Sequence, residues 1–319
     1  MTRHEVDEAD QLIPNFLIAG TPRSGTTLIQ RLVSELPGVR VPPETHFFAA
    51  FYPGLVKRRT FPLDESALSR ELTTFSNMKT SRDLGLDHVK VIDLLERRCE
   101  RPAHLFGAIT RCLAGRADVV GEKTPDHLRW WKPLAENYPS VKFVFVVRDP
   151  RGVVASRIRA GWGSSIPEML AARWRADQQE IIRALTNMPN HSRLLLRYEE
   201  VVREPDQARS RLASFLDVRP QKTSTVPETN QLFAPWEKWK ERAVEPVTPE
   251  RIDAWASVLA PSEAAGVLNS CQSEMEHLGY SHSELLVDAP RRPMNISFRI
   301  ARMRVSRRRE RYWIGRQRL

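Results

Sequence analysis

The segment Gly20-Thr21-Pro22-Arg23-Ser24-Gly25-Thr26-Thr27 sets two glycines five positions apart and follows them with hydroxyl residues. It approaches the pattern G-x-x-x-x-G-K-[ST], in which backbone N–H groups and a helix N-terminus cradle a phosphate or similar anion. The lysine of that pattern is absent: Thr26 takes its place, and the positive charge lies inside the loop, at Arg23. A nucleoside triphosphatase needs that lysine, so the loop reads as a site for a different anion. A second group runs Arg148-Asp149-Pro150-Arg151-Gly152-Val153-Val154-Ala155-Ser156. Arginine can hold a phosphate through two parallel N–H bonds. Alone, Arg-Asp-Pro is also an ordinary helix start with Asp as cap.

Both groups need elements that carry them. Phe16 to Gly20 is a short apolar run ending in Gly, which reads as a buried strand. Leu28, Ile29, Leu32, Val33 and Leu36 then share one helical face, and Pro37-Gly38 stops that helix. Residues 63–115 read as mostly helical. Val119-Val120 suggests a strand leading into Gly121-Glu122-Lys123-Thr124-Pro125, and 129–138 fits a helix. Val141 to Val147 is apolar and β-branched, as expected of a strand buried on both faces of a parallel sheet. Helices are expected from about Pro150, from Pro167 to about Thr186, over 205–216, and in two stretches within 249–279. Leu194-Leu195-Leu196 reads as a further buried strand, with Tyr198 at its end. Strands alternating with helices predict an α/β fold: a P-loop-type, open, mostly parallel sheet flanked by helices on both faces. Ligands of such sheets bind at the carboxyl ends of the strands, where these motifs lie.

Pro22-Arg23-Ser24-Gly25-Thr26-Thr27 in this setting resembles the donor loop of sulfotransferases that use 3′-phosphoadenosine 5′-phosphosulfate. The resemblance covers about residues 14–280 and is specific only in the loops. It implies that Arg23 contacts the 5′-phosphosulfate and that Ser24, Gly25, Thr26 and Thr27 donate to it. That family also has an arginine at a strand end and a serine eight residues on, holding the 3′-phosphate; Arg148 and Ser156 match. Pro43-Glu44-Thr45-His46 resembles the segment of protein-tyrosine sulfotransferases whose Glu is the base, which makes Glu44 the expected base and His46 its competitor. Gly121-Glu122-Lys123-Thr124-Pro125 resembles the lysine segment of tyrosine-protein and carbohydrate sulfotransferases, so Lys123 is expected to stabilise the leaving oxygen with Arg23. Glu122 is expected to partner a nearby cation. Tyr198 matches a tyrosine near the donor, although a tyrosine at the core edge fits equally. Trp236-Glu237-Lys238-Trp239-Lys240 falls where relatives place a loop over the donor, but without the Arg-Lys-Gly signature of cytosolic members, which puts a 3′-phosphate role for Lys238 or Lys240 in doubt. The reaction implied is sulfuryl transfer to a hydroxyl acceptor, releasing adenosine 3′,5′-bisphosphate. No metal is required, because a sulfuryl group carries less charge than a phosphoryl group.

Composition sets bounds. Apolar residues are 41% and charged residues 28% of 319, ordinary for a globular chain. No apolar run approaches the ~18 residues of a membrane span. The first ten residues lack the basic stretch and apolar core of a signal peptide. Cys99, Cys112 and Cys271 are too dispersed for a metal site or a disulfide framework. The formal charge of +10 is local: residues 291–319 hold eleven arginines and one acid, Glu310, and the rest is neutral. The expectation is a single sulfotransferase domain over 1–285 and a basic tail over 286–319, cytoplasmic or peripheral at a membrane. The tail could meet an anionic membrane surface or a second copy of the chain; no specific nucleic acid is expected. The acceptor is open among glycan, glycolipid, tyrosine and small metabolite, with 46–115 and 157–175 as its expected pocket. A P-loop nucleotide kinase, and a non-catalytic nucleotide-binding protein acting through the tail, are the rival readings.

Overall fold

A computed structural model describes residues 11–161, 164–220, 232–234, 237, 240 and 245–281. Five strands form one all-parallel sheet: β1 (Phe16–Gly20), β2 (Val39–Arg40), β5 (Val119–Lys123), β6 (Lys142–Val147) and β7 (Arg193–Arg197). Their order is β2-β5-β1-β6-β7. A separate antiparallel pair joins β3 (Leu63–Asp64) to β4 (Arg98–Cys99).

The central strands are apolar on both faces because both are covered. Leu17, Ala19, Phe143, Phe145 and Val147 point into one core. Phe16, Ile18, Val144, Val146 and Leu196 point into the other, the alternation a strand imposes. The first core is closed by α5 (Pro102–Ala114), α7 (Pro150–Ala160), α8 (Pro167–Asn187) and α11 (Pro261–His277). The second is closed by α1 (Thr26–Ser34), α9 (Tyr198–Arg203) and α10 (Pro205–Leu216). The remaining helices, α2 (Tyr52–Arg58), α3 (Glu65–Ser76), α4 (His88–Leu94) and α6 (Trp131–Asn137), lie between β2 and β6 in the chain. The expected α/β fold with helices on both faces is the one observed.

Local differences have physical causes. Residues 63–115 hold three helices but also the β3–β4 pair. The apolar triplet 194–196 is an edge strand in which only Leu196 is fully buried, since β7 has a neighbour on one side only. The helix expected over 129–138 is a 3-10 turn, Pro125–Trp130, running into α6. Among the described residues no helix is long and apolar enough to cross a membrane. The basic tail, 286–319, lies outside the described residues.

The sheet order matters for the site. After β1 the chain builds outward to β2 and β5 on one side, then returns to place β6 and β7 on the other. The connections therefore diverge at β1, and a crevice opens at its carboxyl end.

Candidate active site

Each strand of the sheet delivers one expected site residue from its carboxyl end. β1 ends in the Gly20–Thr27 loop, and β2 is followed four residues later by Glu44. β5 ends on Lys123, β6 runs into Arg148, and β7 into Tyr198.

The loop is built for close approach. A Cβ at Gly20 would lie 2.4 Å from the Val146 carbonyl oxygen. Gly25 has φ +95°, and a Cβ there would lie 2.4 Å from the Tyr198 ring. Arg23 is also left-handed, at φ 81°, a conformation costly for a residue with a side chain and found where structure enforces it. Gln178 on α8 braces the loop by donating to Thr21 Oγ1 at 2.7 Å. No side chain caps the N-terminus of α1, and the Ser24 hydroxyl is buried with no hydrogen-bond partner among the described residues. Such an end offers N–H donors and a positive dipole to an anion. Gly25→Ala is therefore expected to lower unfolding stability by about 1–3 kcal/mol, from strain and overpacking together. Urea denaturation of the two proteins checks this.

Arg148 and Ser156 meet the loop directly. Arg23 Nε donates to Ser156 Oγ at 3.0 Å, and Arg148 Nη1 donates to the Arg23 carbonyl at 3.3 Å. Arg148 also lies over the Tyr198 ring, 4.1 Å from its centre, so Tyr198 sits between loop and arginine rather than merely at the core edge. Gly152 gives Arg148 room, since a Cβ there would stand 2.7 Å from its Nε. The backbone at the end of β6 is pinned twice: Trp174 Nε1 donates to the Arg148 carbonyl at 2.9 Å, and Asp149 N donates to Glu199 Oε1 at 2.9 Å. Burial first, and then repulsion from Arg148, lowers the Arg23 guanidinium to about 10. Two arginines close together at a half-buried loop favour a nearby anion.

Glu44 is 6% exposed and closely surrounded. Lys123 Nζ donates to its Oε1, Lys240 Nζ reaches the same oxygen at 2.5 Å, and His46 Nε2 lies 3.3 Å from Oε2. Burial alone would raise this carboxyl. Lys123, Lys240 and His46 outweigh burial and hold it well below the usual carboxylate range. Lys123 is fully buried; desolvation pushes it down to about 8, against the pull of Glu44. Its Nζ is also 3.5 Å from Thr27 Oγ1, at the end of the donor loop.

A buried network fixes both groups. Glu122 Oε1 accepts from Thr45 N at 3.2 Å, from Thr45 Oγ1 at 2.9 Å and from Thr124 Oγ1 at 2.7 Å. His127 Nδ1 lies 2.8 Å from its other oxygen. Glu122 thus ties the residue after Glu44 to the residue after Lys123. Gln30 on α1 adds a further brace, donating to the Val41 and Pro42 carbonyls at 3.1 Å and to the Leu232 carbonyl at 2.9 Å. Sequence reasoning missed Gln30 and Gln178, because an amide on a helix carries no signal until its distant acceptors are known. Lys240, doubted from sequence, lies against Glu44; Trp236, Lys238 and Trp239 lie outside the described residues. Glu44, His46 and Glu237 bring one ligand atom each within 4.8 Å. Lys240 pairs with Oε1 of both carboxylates.

The sulfotransferase family model matches residues 14–222. The chain belongs to the sulfotransferase family. Among curated relatives, the protein-tyrosine sulfotransferase of Drosophila melanogaster is 22% identical over 84% of this chain and 52% of its own length. Protein-tyrosine sulfotransferase A of Caenorhabditis elegans is 22% identical over 86% of this chain and 69% of its own. The chain thus spans about half to two thirds of the length of the curated relatives it matches. Two solved sulfotransferase domains share the fold. The domain from the curacin biosynthetic pathway has a TM-score of 0.54 and 20% identity, over 84% of this chain and 98% of its own. That from the Synechococcus PCC 7002 olefin synthase has 0.52 and 17%, over 82% and 94%. The matched residues 14–222 include the loop, Glu44, Lys123, Arg148, Ser156 and Tyr198, but not Lys240.

Proposed function

We propose that this sulfotransferase moves a sulfuryl group from 3′-phosphoadenosine 5′-phosphosulfate to an acceptor hydroxyl, with Glu44 as general base. The observation that carries the reading is the convergence of Arg23, Lys123 and Glu44 at the carboxyl ends of adjacent strands, beside the Arg148–Ser156–Tyr198 cluster. The residues fit the donor. The uncapped α1 terminus and the orphaned Ser24 hydroxyl suit its 5′-phosphosulfate, and Arg148 with Ser156 suits its 3′-phosphate.

When bound, the donor supplies the sulfuryl group and departs as adenosine 3′,5′-bisphosphate. Glu44 takes the proton of the acceptor hydroxyl as the new O–S bond forms. Lys123 and Arg23 stabilise the electron pair left on the bridging oxygen as the old S–O bond breaks. The remaining contribution is positioning, which Glu122, Gln30 and Gln178 provide by fixing the loops. The acceptor is a hydroxyl compound, and one of the two segments expected to line its pocket, 46–115, starts two residues after Glu44.

Calorimetric titration with adenosine 3′,5′-bisphosphate, without metal, tests the donor assignment. Binding is expected for the bisphosphate and not for ATP. Arg148→Ala is expected to weaken it by about ten- to a hundredfold, the worth of a hydrogen-bonded charge pair. Tight ATP binding that depends on magnesium, with Arg148→Ala unaffected, would restore the kinase reading.

A further inference from the structure

We propose that Lys240 is a second cation for the transferring sulfuryl group, and that donor binding frees Glu44 by drawing Lys240 and Lys123 off it. This rests on the sulfuryl-transfer reading of the site.

As arranged, the Oε1 of Glu44 is closed to an acceptor proton. Its Oε1 accepts from two ammonium groups, Lys123 and Lys240, and a carboxylate oxygen has only two lone pairs to offer. Its Oε2 faces His46. The lysines must change partners before Oε1 can take an acceptor proton. They are buried at 0% and 8% exposure, so water does not replace the carboxylate, and leaving a buried ammonium unpaired is costly. Another anion has to receive them. Lys240 keeps Glu237 as a second carboxylate. Lys123 borders the donor loop through Thr27. Among the described residues, Glu44 and Glu237 are the acids that act on Arg23, Lys123 and Lys240, and Arg148 and Arg157 add positive charge beside Arg23, so an entering sulfuryl oxygen meets a site rich in positive charge.

Lys240 is held for this purpose by its own turn. Lys240 N donates to the Glu237 carbonyl at 2.8 Å, and Glu237 N to the Ala234 carbonyl at 2.9 Å. Glu237 Oε2 accepts from Ala234 N at 3.1 Å, and Gln30 fastens Leu232. Both ammonium groups hydrogen-bond one oxygen, so if Lys123 stands at the reaction centre, Lys240 does as well. The consequence is an order of events. The donor binds first and converts Glu44 from an ion-pair member to a base; acceptor alone meets a carboxylate already engaged.

The test compares the donor with its bisphosphate product, which lacks the sulfuryl group. Both are titrated calorimetrically into wild type, Lys240→Gln and Lys240→Arg, without acceptor. Lys240→Gln is expected to lose about ten- to a hundredfold in donor affinity, as expected for a charge-assisted hydrogen bond, while keeping bisphosphate affinity; Lys240→Arg restores the preference. Parallel changes for both ligands, or none, overturn the proposal and leave Lys240 a structural ion-pair partner. If Lys240→Gln does not fold, Glu237→Gln/Lys240→Gln removes both charges together and is read in the same way. Wild type binding neither ligand refutes the donor assignment itself, a result distinct from failure of the Lys240 role.

Discussion

Glu44→Gln lowers kcat by about 10²- to 10⁴-fold, the range contributed by a positioned general base, while adenosine 3′,5′-bisphosphate still binds. The second half of this expectation follows from charge. The substitution removes an anion from a pocket that holds Arg23, Lys123 and Lys240, so a phosphate is attracted at least as strongly. Turnover with labelled donor reads the first half and calorimetry the second. Normal turnover in Glu44→Gln would pass the base role to His46, whose Nε2 is 3.3 Å from the carboxylate. Loss of both turnover and bisphosphate binding would instead indicate that the pocket had collapsed.

Lys123→Met lowers kcat by about 10²- to 10³-fold, the scale of losing one donor to a developing oxyanion. It leaves bisphosphate affinity unchanged, because the bisphosphate contacts expected at Arg148 and Ser156 lie elsewhere. The pH dependence adds a separate signature. Burial pushes Lys123 down to about 8, and the active form is the ammonium. Donor kcat/KM in wild type is therefore expected to hold below pH ~8 and to fall as pH rises through it. Lys123→Arg keeps the charge over the whole range and should remove that alkaline limb even where its rate is low. A limb that persists in Lys123→Arg would assign the titration to another group.

These two expectations concern residues whose types were visible in the sequence and whose relationship was not. Apolar runs at 16–20 and 141–147, the second rich in β-branched residues and each ending at a loop with Gly or Arg, sufficed for parallel strands, because a strand buried on both faces leaves no polar alternation. The missing lysine at Thr26 and the charge at Arg23 turned the glycine loop from a triphosphate site toward another anion. The edge position of β7 and the short β3–β4 pair were not legible, since neighbours across a sheet are set by topology and two-residue strands carry no period.

The sequence by itself determined the α/β class, the anion loop and the set of charged residues at strand ends. Only the tertiary structure decided how those charges are shared. Lys240 lies 196 positions from Glu44 and Lys123 lies 79, yet both ammonium groups meet one carboxylate oxygen. The physical reason is that the five strands converge their carboxyl ends on one crevice, where low exposure makes each buried charge depend on its partners. Pairing of that kind is a property of the packed crevice, and residue types along a chain do not specify it.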